Sequence, residues 1–349
     1  MNFQFSDEAE ALRDSARKFL TERADKPKAR AVMESGASHD AALWAEIVAL
    51  GWPALRIPEE HGGLGLSILE LCVLAEEVGR ALAPVPFTSS VLLATEALLI
   101  AGTADQQAHW LPKLADGSAI GTVALTAKPV SGGILAPVHD AAAADFIIFA
   151  RADGLHLAET AACTVAPVET IDLVRRAARV TLPGAGAQPM AGGATAAAAF
   201  QHSAAILLAF EGLGGADAAM EMALGYTQAR VAFGRKIAGY QAVKHRLADM
   251  YIKNQLARSH AYYGAWALST DAPELAQAAA GARLAAIDAF GFAAEENVQL
   301  HGGIGFTWES DCQFFYRRAR TLTLALGGKA VWSDRLVRAL EQRNSAMAA

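Results

Sequence analysis

A glycine-rich corner is the first stretch of the sequence that could bind a ligand. Residues 298–311 read VQLHGGIGFTWESD, in which His301 precedes Gly302, Gly303 and Gly305 at the end of a long apolar helical pattern. One glycine is enough to end a helix. Further glycines let the backbone take positive φ and let another molecule approach it closely. Gly302 and Gly303 are therefore candidate contact residues. The alternatives are a simple cap and turn, and a structural, hydrogen-bonded role for His301.

A second candidate is a single carboxylate in an apolar helical stretch. Glu211 lies in the run ILLAFEGLGG. Because burial disfavours the charged form of a carboxyl group, we expect the pKa of Glu211 to be raised, and such a group could accept a proton from a substrate. The alternative is a buried, hydrogen-bonded glutamate at a contact between helices or subunits.

Composition and charge exclude several classes of protein. The chain has 349 residues with a formal net charge of −6. This length suits one large domain or two to three smaller ones, and the charge gives no electrostatic case for nucleic acid or an anionic membrane as partner. The N-terminal run MNFQFSDEAE is not typical of a secretory signal. We find no uncharged apolar stretch long enough to predict a transmembrane helix.

The cysteines and acidic residues predict no metal site. Cys72, Cys163 and Cys312 are odd in number and far apart, which fits neither a zinc spacing nor a disulfide framework. A cytoplasmic location is therefore predicted. A di-iron site would need Glu-x-x-His pairs on long helices, and the sequence has none on the helices predicted here.

The hydrophobic pattern predicts three domains. Residues 1–119 read as helices, beginning with a capping Ser6 and an acidic first turn. Residues 120–195 contain the short runs TVALTA, DFIIFARA, GLHLA and AARVTL between Gly, Pro and Asp residues, which is typical of strands and turns. Residues 196–349 return to helical periodicity.

The last domain is predicted to be an antiparallel four-helix bundle. Its helices are expected at about 199–231, 240–268, 273–299 and 327–345. The fold class is therefore mainly α, with an N-terminal helical domain, a shortened sandwich-like or barrel-like β domain in the middle, and a C-terminal bundle.

This domain order, together with the segment ARVAFGRKIAGYQAVKHRLADMY and the corner VQLHGGIGFTWE, resembles the acyl-CoA dehydrogenase family over nearly the whole chain. The resemblance implies a tetramer that holds FAD at subunit interfaces and oxidises an acyl-CoA thioester between Cα and Cβ. It also implies which residues reach the FAD of a neighbouring subunit. Carried over to this chain, these are Arg230, Phe233, Gln241, Gln299, Gly302 and Gly303.

The residue types suit that role. A guanidinium presents a planar fork of donors to a pyrophosphate, and backbone without a β-carbon can lie against a cofactor. Within the β domain, Leu125 and Thr126 match the start of the family's flavin-contacting pattern, whereas Ala127 replaces an acidic residue. The run GGILAPV stands where the family has the strand that holds the flavin ring. The sequence therefore predicts weakened binding of the ring by this chain's own β domain.

The catalytic base of the family is also missing. Most members carry a glutamate shortly after an Arg-Asp-Ala-Lys-like run, and here residues 317–320 match that run and place Leu326 at the glutamate position. A minority carry the base on the helix before the Arg-x-x-Phe-Gly segment, where this chain has Ala204. Glu211 lies seven residues later, two helical turns on and on a similar face. It is the remaining, weak candidate for the base.

The chain lacks both the family's flavin-holding strand pattern and its catalytic base. In these two losses it resembles the short, base-less subunits of heteromeric acyl-CoA dehydrogenases of the kind that degrade steroid side chains. This resemblance implies an acyl-CoA substrate, FAD shared with a homologous partner subunit, and a dimer or tetramer, with the electron acceptor left open. One alternative is a self-sufficient homotetramer that uses Glu211 as base. Another is a non-catalytic structural homologue that binds no flavin.

Overall fold

The computed structural model describes residues 5–126, 132–183 and 186–348. From Asp7 to Ala115 the chain forms helices joined by loops, and a π-helix at Thr88–Ala94 runs directly into the fifth α-helix. The first helix begins at the expected cap, because the Ser6 hydroxyl accepts a hydrogen bond from the Ala9 N–H at 3.2 Å. The α-helices are α1 (Asp7–Arg23), α2 (Lys26–Ser35), α3 (Ala41–Ala49), α4 (Ile68–Ala81), α5 (Thr95–Ala101) and α6 (Ala104–Ala115).

A small two-sheet sandwich follows the helices. Its strands are β1 (Gly121–Val123), β2 (Ile134–His139), β3 (Phe146–Arg151), β4 (Gly154–Glu159), β5 (Thr164–Val168), β6 (Ala177–Thr181) and β7 (Gln188–Pro189). One sheet has the order β1-β3-β4-β7 and the other has the order β2-β6-β5. Buried side chains of both sheets, such as Leu135, Phe149 and Val180, pack into a core separate from that of the helices. The middle domain is therefore a sandwich.

The C-terminal part is a helical bundle with a short hairpin inserted after its first helix. The hairpin strands are β8 (Val231–Ala232) and β9 (Arg235–Lys236). The helices are α7 (Gly193–Ala229), α8 (Gln241–Ser269), α9 (Leu275–His301), α10 (Cys312–Leu324) and α11 (Lys329–Ala348). Together the three parts confirm the predicted fold class.

Helix α10 corrects the prediction of four helices in this region. It packs against α9 and α7 and includes the run matched to the Arg-Asp-Ala-Lys pattern. Its start is weakly marked, because Asp311 at its N-cap has helical φ and ψ and makes no side-chain capping bond. A helix with a weakly marked start is hard to distinguish from an irregular connection.

Helix α7 is the central helix of the bundle. By length and composition alone it could cross a bilayer, but it packs against α4, α8 and α9 and much of it is buried. The contact with α4 is backbone to backbone. A β-carbon at Gly79 would lie 2.1 Å from the Glu211 carbonyl oxygen, and one at Gly214 would lie 1.8 Å from that of Glu76. These glycines bring α4 and α7 together and fix Glu211 in the interior.

Candidate functional site

The three glycines of the 301–306 corner differ in whether the structure would accept a side chain at their position. Gly302 has φ 63° and ψ −142°, a conformation that strains any residue with a side chain. Gly305 is buried, and a β-carbon there would lie 2.3 Å from the Val298 carbonyl oxygen. Gly303 has neither constraint, since a β-carbon would meet no described atom within 4 Å. The surface over Gly303 is therefore open to a molecule from outside the chain.

His301 is a structural residue in this corner. Its Nδ1 lies 2.7 Å from the Asn297 carbonyl oxygen, one turn back on α9. Its ring stacks on that of Tyr226, with centroids 4.1 Å apart and planes 25° from parallel. Because Tyr226 lies in the last turn of α7, this stack joins the glycine corner to the connection between α7 and α8.

That connection carries three of the residues assigned to cofactor binding. Arg230 caps α7, and its carbonyl accepts a hydrogen bond from the Ile237 N–H at 2.9 Å. Phe233, at the hairpin turn, is 96% exposed with φ 49°. Gln241 begins α8. Among the described residues, the side chains of Arg230, Gln241 and Gln299 make no hydrogen bond or ion pair. These three side chains are therefore available to bind a ligand or a partner.

A groove between α8 and the end of α9 brings Phe233 and Gln299 together. Its volume is about 790 Å³, and Tyr240, Arg246 and Glu296 also line it. Arg246 and Glu296 are 3.5 Å apart, and burial raises the pKa of Glu296 although Arg246 opposes the shift. The groove thus combines an aromatic wall with hydrogen-bonding groups.

Leu125 and Thr126 lie in a second cavity, between the β domain and α10. This cavity has a volume of about 750 Å³, and α10 contributes Tyr316 and Arg320. From β2 it receives Ala136, Pro137 and His139. Neither Ala136 nor Pro137 has a side-chain hydrogen-bonding group, and proline also lacks an N–H. Ala127, the replacement noted in the sequence, lies outside the described residues.

His139 is a cavity residue that the sequence did not reveal. Burial, together with the nearby guanidinium of Arg175, lowers the pKa of His139 to about 4, so its imidazole is neutral near pH 7. Its Nδ1 is buried without a hydrogen-bond partner among the described residues. Nothing in the residue types around His139 indicates this environment.

Glu211 is held in a buried ion network. It pairs with Arg175 and with Arg318, and it accepts a hydrogen bond from the Thr88 hydroxyl at 3.1 Å. Arg318 also pairs with Asp172. Burial by itself would raise the pKa of Glu211, but the two guanidiniums more than offset it and the pKa is lowered. The expectation of a raised pKa was therefore wrong, and the network matches the alternative of a buried, hydrogen-bonded glutamate.

The other two base positions hold buried apolar side chains. Leu326 is 4% exposed and has φ 58° in the turn between α10 and α11. The buried guanidinium of Arg283 fixes this turn by donating to the carbonyl oxygens of Leu322 and of Ala325, the latter at 2.9 Å. Ala204 is fully buried in α7. Neither position presents a group that accepts a proton.

Comparison with known proteins establishes the family. Residues 6–118 match the model "Acyl-CoA dehydrogenase, N-terminal domain", and residues 191–341 match "Acyl-CoA dehydrogenase, C-terminal domain". The chain belongs to the acyl-CoA dehydrogenase family, whose members are flavoprotein oxidoreductases that act on a CH–CH bond.

The chain is similar to two mycobacterial proteins over most of its length. It is 36% identical to acyl-CoA dehydrogenase IpdE2 of Mycolicibacterium smegmatis, covering 92% of this chain and 95% of the relative. It is 37% identical to acyl-CoA dehydrogenase IpdE2 of Mycobacterium tuberculosis, covering 90% and 91% respectively.

Two solved structures share the fold. A chain of the ChsE4-ChsE5 complex from Mycobacterium tuberculosis superposes with a TM-score of 0.90 at 25% identity, covering 98% of this chain and 99% of that one. A chain of a variant of the steroid ACAD Tcur3481-Tcur3483 superposes with a TM-score of 0.89 at 28% identity, covering 97% and 99%.

Proposed function

We propose that this protein is the base-less subunit of a heteromeric, FAD-dependent acyl-CoA dehydrogenase. The observation that carries the proposal is that two of the candidate base positions hold apolar side chains and the third holds an ion-paired glutamate. Leu326 and Ala204 cannot accept a proton, and Glu211 is buried in ion pairs with Arg175 and Arg318. The carboxylate that removes the α-proton would then come from a homologous partner.

The exposed corner and the α7–α8 connection fit the adenosine diphosphate half of FAD. Arg230 offers a guanidinium that has no partner within the described part of the chain, which suits a pyrophosphate. Gly303 leaves its backbone accessible, because a β-carbon there would meet no described atom. Gln241, Gln299 and Phe233 would complete the contacts. When bound, FAD supplies the acceptor for the hydride that leaves Cβ of the acyl chain. These residues bind and orient the cofactor.

Among the described residues, β2 offers few side-chain groups that could hold the flavin ring. The cavity beside Leu125 and Thr126 has room for a ligand, but Ala136 and Pro137 offer no side-chain hydrogen bonds from β2. An isoalloxazine ring needs donors at its polar edge. We infer that FAD is shared, with its ring held by the partner and its diphosphate half held here.

Exposed apolar side chains support a partner of the same family. Phe233, Tyr251, Ile252, Leu256 and Phe306 are all more than half exposed, and such surface usually marks an interface. The structures named ChsE4-ChsE5 and Tcur3481-Tcur3483 each pair two differently named proteins, and the second is titled a steroid ACAD. By this similarity we propose a heteromeric dimer or tetramer in the cytoplasm that acts on an acyl-CoA of the steroid-degradation class.

The first test is the flavin absorption spectrum of the purified chain, quantified as FAD per chain. The chain alone should be nearly colourless and should show no dehydrogenase activity with a range of acyl-CoAs. Coexpression with a base-containing homologue should give a yellow complex with activity. A self-sufficient homotetramer would instead be yellow and active when the chain is expressed alone. A structural homologue without flavin would stay colourless in every complex.

A matched pair of arginine variants tests the assigned contact. Arg230→Ala should lower FAD retention of the complex at least tenfold without weakening assembly, because it removes a charge-assisted contact to the pyrophosphate. Arg338→Ala is the control, since Arg338 lies on α11 and pairs only with Asp334 among the described residues. Equal flavin retention in the two variants would contradict the assignment of Arg230.

A further inference from the structure

We propose that Lys26 is a site of covalent acylation by acyl-CoA thioesters. Lys26 is the first residue of α2 and lines a cavity of about 430 Å³ where the N-terminal helices meet α7 and α10. The cavity also has apolar wall residues, among them Leu20, Ala24 and Phe315. Its lining does not include Gly302, Gly303 or Gly305 and shares no residue with the cavity beside Leu125. The step needs no flavin and no partner, so it is independent of the proposed function.

The contacts of Lys26 hold its amine in place without pairing it with a carboxylate. Its Nζ donates to the Ala81 carbonyl oxygen at 2.7 Å, at the end of α4. The same atom lies 5.0 Å from the centroid of the Phe315 ring. No carboxylate of the described residues lies within ion-pair distance of it. The amine is therefore oriented by a neutral acceptor and an aromatic ring.

The other charged groups around the cavity have partners of their own. Arg17 pairs with Glu77, and Arg80 pairs with Glu221. The remaining acids are also engaged: Asp311 pairs with Arg30, and Asp25 caps α2 by accepting from the Lys28 N–H. Lys26 is thus the cationic group of this wall that lacks a counter-ion within the described chain.

This environment increases the neutral fraction of the Lys26 amine relative to that of an ordinary lysine. Burial is the main cause that lowers the pKa of Lys26 to about 8, and Arg318 and Arg80 add to the effect while Asp311 and Asp25 oppose it. At pH 7.5 roughly a quarter of an amine with that pKa is neutral, against about 0.1% for an ordinary lysine. The neutral form is the nucleophile.

The chemical step is an ordinary aminolysis. The Nζ lone pair attacks the thioester carbonyl carbon, an N–C bond forms, and the C–S bond breaks. Coenzyme A leaves as its thiolate, and the extra proton of the former amine passes to it or to solvent. The products are an amide and free coenzyme A, with no oxidant or reductant consumed.

The product fits the same surroundings. An acylated Lys26 keeps one N–H, which can still donate to the Ala81 carbonyl oxygen. The modification removes a charge that is costly to bury, and the acyl group can lie in the cavity against Leu20 and Phe315. Acylation should therefore leave the fold intact, with no loss of thermal stability.

The test is to incubate the full chain with acetyl-CoA and with butyryl-CoA between pH 7 and 10 and to quantify acylation by mass spectrometry. Cleavage after Glu22 and Glu34 gives one peptide that contains both Lys26 and Lys28. Lys28 is a matched control, because its Nζ also donates to a backbone carbonyl, that of Arg23, but it does not line the cavity. Fragmentation of the peptide distinguishes the two lysines.

At pH 7.5 we expect Lys26 to be acylated at least ten times faster than Lys28. The rate at Lys26 should level off above about pH 8.5, because its amine is then mostly neutral. Thr21→Glu places a carboxylate on the cavity wall. It should lower the rate of acylation at Lys26 several-fold without changing the rate at Lys28. Equal rates at the two lysines, or no acylation of Lys26, would overturn the proposal.

Discussion

Glu211 Oε1 and Arg318 Nη1 lie 3.4 Å apart in the interior where α7 meets α10, and both side chains are almost fully buried. Arg318 stands at the second position of the run that matches Arg-Asp-Ala-Lys, so a cation replaces an acid there. A buried cation needs a counter-charge. Glu211 and Asp172 supply it, which accounts for a glutamate in an apolar helix without assigning it a catalytic role.

The first prediction concerns Glu211→Gln. The variant should leave activity of the heteromeric complex unchanged within about twofold. It should lose about 3–5 kcal/mol of unfolding free energy, because Arg175 and Arg318 would lose a buried partner. Urea unfolding of the isolated chain measures this loss.

The control for Glu211 is Glu221→Gln. Glu221 pairs with Arg80 and is half exposed, so its loss should cost less than about 1 kcal/mol. A large drop in activity of the Glu211 variant at unchanged stability would instead support Glu211 as the catalytic base.

The sequence predicted the long helices, four of the strands and the family, because those depend on local periodicity and motif spacing. It could not predict the ion network. Arg175 and Arg318 are 36 and 107 residues from Glu211 in sequence, so apolar neighbours alone gave the wrong direction for its pKa. The environment of His139 was missed for the same reason, since it depends on burial and then on Arg175, 36 residues further along the chain.

A second prediction is a pH dependence of stability that arises from His139. Its pKa is lowered to about 4 in the folded chain, whereas it is about 6.5 when unfolded. Between these values the unfolded state binds more protons, so the unfolding free energy should fall as pH falls from 6.5 to 4. His139→Gln should flatten this part of the curve. An unchanged slope in urea unfolding between pH 4 and 6.5 would contradict the assignment.

A third prediction concerns the position where the family carries its glutamate. Leu326→Glu should not give the isolated chain dehydrogenase activity if, as proposed above, the flavin ring is held by the partner. It should also destabilise the chain by several kcal/mol, since a carboxyl group would replace a buried leucine. Acyl-CoA dehydrogenation by the purified variant, measured with an artificial electron acceptor, checks the first point. Activity at ordinary enzyme rates would mean that the flavin ring is held after all.

The last prediction separates the two nearby glycines of the corner. Gly303→Ala should leave the unfolding free energy within about 0.5 kcal/mol of the parent, because the new methyl group meets open space. It should nevertheless weaken FAD retention by the complex, since the methyl group would lie where the cofactor approaches the backbone.

Gly305→Ala should do the reverse. Its methyl group would lie 2.3 Å from the Val298 carbonyl oxygen, so it should cost about 1–3 kcal/mol of stability by overpacking. Any decrease in FAD retention by the Gly305→Ala complex should then be explained by the fraction of chain that has unfolded. Thermal unfolding of the chain alone and flavin absorbance of the complex after gel filtration measure the two effects separately. If Gly303→Ala bound FAD as well as the parent complex, the cofactor would not lie against this corner.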